Sequence, residues 1–258
     1  IEFHVLALKF DSTLPDTEQM GNVLVHRIGF AKPSATMSDL KKFPLFLNKY
    51  LYQFLAVWYA ERLHKKYHFD ATWAMMAHSC GVPAGIFKTL HPEVKYLLNL
   101  QEGDPPEYIE RLAWPVWPLF KRGFTEADEL QGSSNFLIAW GKRMGFTGKG
   151  VLIPNGTNVA LFSHPISTEE RSALRRAWSC GDSNVIIVSS SRLVHKNAMD
   201  DVIHALAHLP QHVRFINFGF GPDKTKLEQI ARDAGVADRV ALLDYPGHEM
   251  LAKYLHAC

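Results

Sequence analysis

The pattern of apolar and polar positions is plainest in the second half of the chain. Short runs of branched apolar residues at 184–190, 213–218 and 239–243 alternate with segments of helical periodicity at 168–178, 198–209, 223–234 and from 247 onward. Runs that are apolar on both faces read as strands buried on both sides, and their alternation with helices implies parallel sheets with right-handed crossovers. The first half alternates less regularly. Residues 3–10, 22–30 and 95–100 are predicted as strands, 71–77 is a short apolar run, and 151–153 stops at the Pro154-Asn155-Gly156 turn. Helices are predicted over 81–90, after Asp104-Pro105-Pro106, over 135–144, and over a long stretch from about Ser38 to Tyr67. Between Tyr50 and Ala60 only Gln53 is polar, which predicts a helix buried nearly all round. Lys41, Lys42, Lys65 and Lys66 flank it and leave an interfacial helix on anionic lipid as the alternative. The pattern predicts two α/β units, 1–164 and 165–258, joined near residues 163–166.

Composition narrows this little further. The apolar share of 47% is enough for a packed core and argues against disorder. A net charge of +2 predicts no nucleic-acid partner. Cys80, Cys180 and Cys258 are far apart and form no CxxC pair, which excludes a disulfide framework and a zinc cluster of that type and fits a reducing, cytoplasmic compartment. The thirteen histidines lack HxH or HExxH spacing. No run of about 18 apolar residues is present to span a bilayer.

Two loops carry candidate chemistry. Ser191-Arg192-Leu193-Val194-His195-Lys196-Asn197 follows the 184–190 strand and precedes a helix, so Arg192 and Lys196 lie where open α/β sheets bind ligands. A planar guanidinium fork beside a compact ammonium suits two adjacent phosphates, although an Arg and a Lys four apart are commonly just a solvated face. Gly219-Phe220-Gly221-Pro222 follows the next strand. It is GxG only, because Lys224 breaks the GxGxxG fingerprint, and this disfavours a nicotinamide dehydrogenase. Its two glycines would let a ligand approach the backbone closely.

Ser191 to Asn197, Ala205-Leu206, Phe218 to Pro222 and Asp238-Arg239-Val240 together resemble the donor-binding half of the family-four glycosyltransferases. Ile153 to Asn158 with Phe162 resembles that family's interdomain stretch. The resemblance is specific from about Val151 to Cys258 and architectural before it. It implies a GT-B fold, two Rossmann-like parallel-sheet domains facing a cleft with the second incomplete. It also implies retaining transfer of a sugar from a nucleotide-sugar to a carbohydrate or lipid-linked acceptor. The family's diphosphate-binding pair corresponds to Arg192 and Lys196, with Ser191, Gly219 and Gly221 as further donor contacts. No DxD motif is present, so no metal and no cofactor are expected. Where the family often has a His after the strand ending at Leu100, this chain has Gln101-Glu102-Gly103-Asp104. Glu102 or Asp104 then orients the sugar or acceptor hydroxyl, or caps the next helix. His78 is a second candidate on the acceptor side.

The resemblance places a glycine-rich loop ahead of Ile1 and an acidic E-x7-E element beyond Cys258, so the sequence reads as an internal stretch whose own catalysis is in doubt. A non-catalytic nucleotide-sugar-binding module and a GT-B-type epimerase stay open as alternatives. Trp114 to Arg122 is an aromatic and basic patch that either packs on the sheet or meets a lipid-linked acceptor at the inner face of a membrane.

Overall fold

The computed structural model describes residues 1–36 and 39–258. Its contacts divide the chain into two compact units, Ile1–Asn155 and Gly156–Cys258. In the first, β1 (Phe3–Leu8) runs parallel to β3 (Val23–Ile28), and β2 (Thr17–Met20) is antiparallel on the other side of β3. A second sheet is parallel throughout, in the order β4 (Ala71–Met75), β5 (Lys95–Leu100), β6 (Glu129–Gly132) and β7 (Val151–Leu152). Helix α1 (Asn48–Tyr67) connects the two sheets, and α2 (Val82–Leu90), α3 (Pro106–Ala113), α4 (Trp117–Thr125) and α5 (Asn135–Arg143) form the crossovers. The core gathers Tyr96, Leu98 and Leu100 of β5 with Phe120 and Phe124 of α4 and Trp140 of α5. Each contributes on the order of 1.5–3 kcal/mol through burial.

The second unit opens with α6 (Val159–Phe162) and α7 (Thr168–Ala177). Three parallel strands follow in sequential order, β8 (Val185–Ser189), β9 (Val213–Phe218) and β10 (Val240–Leu243). Helices α8 (Met199–Leu206) and α9 (Lys224–Asp233) connect them, and α10 (His248–Ala257) closes the unit. Strand β9 is buried on both faces: Val213 and Phe215 pack with Ile203, Leu206 and Leu227, while Ile216 and Phe218 pack with Cys180 and Leu251. That alternation is the pleat of a strand between two layers.

Three features depart from the expected pattern. The division lies ahead of residues 163–166 because α6 belongs with α10, where His256 Nε2 donates to the Phe162 carbonyl at 2.9 Å. The long helix is shorter than expected: single turns at Asp39–Lys41 and Leu45–Leu47 flank Pro44 before α1 begins. Ser38, its expected start, lies outside the described residues. The expected all-round burial of 50–60 is also overturned. Tyr50, Leu51, Phe54 and Trp58 are exposed, whereas Gln53, the one polar residue, is buried and donates to the His78 carbonyl at 2.9 Å.

Candidate functional site

In the second unit the loop after β8 is held from three directions. Leu193 is fully buried in the core and anchors the loop's middle. The Asn197 amide donates to Ser191 Oγ and to the Arg192 carbonyl, both at 2.8 Å, and Asn217 Nδ2 of β9 donates to the Ser191 carbonyl at 3.1 Å. The loop after β9 completes the brace: Leu193 N–H donates to the Phe220 carbonyl and Asp223 N–H to the Leu193 carbonyl, each at 3.1 Å. Arg192 and Lys196 flank this buried anchor, both exposed. One short loop therefore carries two cations on a fixed backbone, and its rigidity comes from neighbours remote in sequence.

The two glycines have a definite part in this. A Cβ at Gly219 would sit 2.1 Å from the Ser191 carbonyl oxygen, and one at Gly221 2.1 Å from that of Leu193. The close approach expected of a ligand is already made by the β8–α8 loop. Any side chain at either position would push that loop away. The end of α8 is a poor anion site in itself, because its first turn carries Asp200 and Asp201, which already complement the helix dipole. The positive charge of the loop rests on the two side chains.

In the first unit the candidates lie at the carboxyl ends of β4 and β5, which are adjacent and parallel. Met76 has φ +73°, an uncommon conformation for a side-chain-bearing residue, and leads into one wide helical turn over Ala77–Gly81 that contains His78. Glu102 reaches across from the end of β5. Its Oε1 accepts from Ala77 N–H at 2.5 Å, while its Oε2 is buried without a partner. Burial pushes the Glu102 carboxyl up, against hydrogen bonds from backbone N–H groups that pull it down. Burial, then the nearby Lys49 charge, pulls His78 down. Asp104 is exposed and lines, with Glu102, Ser133, Ser134 and Phe136, a depression of about 390 Å³ at the ends of β5 and β6. Ser134 caps α5 through Leu137 N–H, whereas the N-cap position of α3 is Pro105; Glu102 bonds Ala77 N–H through one oxygen and leaves the other unpartnered, so it does not cap α3.

The expected residues thus form two groups, one in each unit: Ser191, Arg192, Lys196, Gly219 and Gly221, and separately His78, Glu102 and Asp104. Sequence reasoning passed over Asn99 and Asn217. Each is buried one residue before the end of a mainly apolar strand, with its Oδ1 unpartnered. The signal is legible in Leu97-Leu98-Asn99-Leu100 and Phe215-Ile216-Asn217-Phe218: a polar residue in a two-sided apolar strand is retained for what it bonds.

No protein-family model and no curated protein sequence matches the chain. Solved structures do. HepE from Anabaena in complex with UDP superposes with a TM-score of 0.69 at 16% identity, covering 99% of this chain and 72% of that one. The α,α-trehalose 6-phosphate synthase of Burkholderia multivorans gives 0.59 at 12% identity, over 97% of this chain and 75% of that one. The lipopolysaccharide outer core galactosyltransferase WaaB gives 0.57 at 11%, over 96% and 70%. At such identities the likeness is one of fold, and the α/β architecture with parallel sheets in two units is that of the GT-B glycosyltransferases.

Proposed function

We propose that the protein transfers a sugar from a nucleotide-sugar donor to a carbohydrate or lipid-linked acceptor with retention at the anomeric carbon. The observation that carries this reading is the braced loop after β8, which carries Arg192 and Lys196 on either side of the buried Leu193 at the carboxyl end of a parallel sheet. As the glycosidic bond breaks, negative charge gathers on the leaving diphosphate, and two cations carried on a braced backbone stabilise it. Arg192 engages two phosphate oxygens with its fork, Lys196 contributes a point charge, and no metal is required in this scheme. Ser191 supplies a hydroxyl beside them. HepE holds UDP and UDP-glucose, which makes uridine diphosphate the first nucleotide to test.

On the other unit Glu102 is proposed to orient the sugar or the acceptor hydroxyl through its unpartnered Oε2, with His78 and Asp104 on the acceptor side. The exposed Tyr50, Phe54 and Trp58 of α1, with Arg62 over the Trp58 ring at 4.9 Å, support peripheral contact with an anionic membrane face. Among the described residues no helix is long and apolar enough to cross a membrane. The free cysteines support a cytoplasmic site of action.

Calorimetry with uridine diphosphate and with uridine tests the proposal. Arg192→Ala and Lys196→Ala should each weaken the diphosphate by about tenfold to a hundredfold, from roughly 1.5–3 kcal/mol per charged hydrogen bond. Uridine should be nearly unaffected, and Arg192→Lys should recover part of the loss. Equal losses for both ligands would mean a disturbed fold, and no loss for either would reduce the two residues to a solvated face. Binding of the nucleotide-sugar without turnover would favour the binding module.

A further inference from the structure

Histidines that no sequence spacing connects meet at the amino-terminal edge of the parallel sheet in the first unit. His64 stands in the last turn of α1, and His91 and Glu93 lie in the turn between α2 and β5. One ligand atom from each of the three lies within 4.8 Å of the other two. Glu93 Oε1 is 3.3 Å from His91 Nδ1 and 3.8 Å from His64 Nε2. Tetrahedral zinc with bonds of about 2.0–2.1 Å sets neighbouring ligand atoms roughly 3.4 Å apart, so two of the three spacings need almost no change. Behind His91, Glu61 Oε1 sits 2.6 Å from Nε2. That carboxylate fixes the tautomer in which Nε2 carries the proton and Nδ1 offers its lone pair, the arrangement that supports metal-bound imidazoles. Both imidazoles are largely buried, and Glu93 is 67% exposed, which leaves an entry path on its side.

We propose that His64, His91 and Glu93 bind a zinc-class divalent ion through His64 Nε2, His91 Nδ1 and Glu93 Oε1, with Glu61 supporting His91. The site tethers the end of α1 to the turn before β5. It lies at the opposite end of β5 from Glu102, so its role is to hold the fold and not to act on the sugar. One contact must change when the ion binds. His64 Nδ1 accepts Phe69 N–H at 3.0 Å. Ligation through Nε2 moves the ring proton to Nδ1, and the Phe69 amide then loses its acceptor.

The test is a titration of the chain with zinc by calorimetry and with cobalt by visible absorption, followed by amide exchange. We expect one ion per chain, the intense cobalt bands of a tetrahedral site, a higher melting temperature, and faster exchange at Phe69 while the rest of α1 becomes better protected. Glu93→Gln, on an exposed turn where folding is not at risk, should weaken binding at least tenfold, and Glu61→Gln by about 10–100-fold. His64→Gln and His91→Gln should abolish the cobalt bands. Binding that is unchanged in Glu93→Gln and Glu61→Gln, no saturable binding at all, or a Phe69 amide that stays protected in the zinc-bound protein would overturn the assignment.

Discussion

A carboxyl group withdrawn from water needs hydrogen bonds for both oxygens or a proton of its own, and Glu102 has a partner for one oxygen only. Burial raises its pKa above the unfolded value, so the native state holds a proton that the unfolded chain releases. The stability associated with this group is therefore fully present below the unfolded carboxyl range, near pH 4.3, and is lost as the pH rises through the folded value. Glu102→Gln keeps the neutral shape and removes the titration. Urea unfolding measured across the acid-to-neutral range should show wild type losing stability with rising pH relative to the variant, which should be at least as stable at neutral pH. If Glu102 also orients the sugar as a carboxylate, the same variant should turn over about tenfold to a hundredfold more slowly. Glu102 was visible in the sequence as a departure from a family pattern, but its contact was not, because Ala77 is 25 positions away and is brought close only by the pairing of β4 with β5. Gly219 and Gly221 were similarly visible as loop glycines, while the carbonyls that require them come from the preceding loop.

Elements buried on both faces were the easiest to read. Residues 95–100 and 213–218 are strands at the expected bounds, because apolar residues dominate both faces of each and the pattern holds despite Asn99 and Asn217. Strand β2, Thr-Glu-Gln-Met, was not expected, since an exposed antiparallel edge has no apolar run, and β6 has only Leu130 as a buried apolar side chain. Two buried arginines show what element ends demand. Arg239, expected as the first residue of the 239–243 strand, instead ends the turn before β10 and donates to the carbonyls of Leu206, Leu209 and Pro210, so closing the carboxyl end of α8. Arg175 binds the carbonyls of Gly181, Asn184 and Ala257, joining α7 to the start of β8 and the end of α10. Removing either leaves buried carbonyls without donors, at a cost of about 1–3 kcal/mol for each one that water cannot reach. Arg239→Met and Arg175→Met, both in the second unit, should each lower that unit's urea midpoint by the equivalent of roughly 3 kcal/mol with little change in slope. A surface change such as Arg232→Met, on the exposed face of α9, should be near neutral.

At the scale of the whole molecule, each unit has its own core, and residues 151–160 between them are exposed throughout. Units with separate cores are expected to unfold in separate steps, so one midpoint would not describe the chain. The two proposed sites lie in different units, which lets ligands assign the steps. A ligand stabilises only the unit whose native state it binds, by about 2.7 kcal/mol at a hundred times its dissociation constant. For a domain the size of the second unit that is a shift on the order of ten degrees. Scanning calorimetry should therefore show uridine diphosphate raising one transition and zinc raising the other. Arg192→Ala should abolish the first shift without touching the second, and Glu93→Gln should do the reverse. Proteolysis within residues 153–158 should release two fragments that each keep one transition and its ligand response. A single transition moved equally by both ligands would show that the units fold as one, and a diphosphate shift confined to the Ile1–Asn155 fragment would remove Arg192 and Lys196 from the donor site.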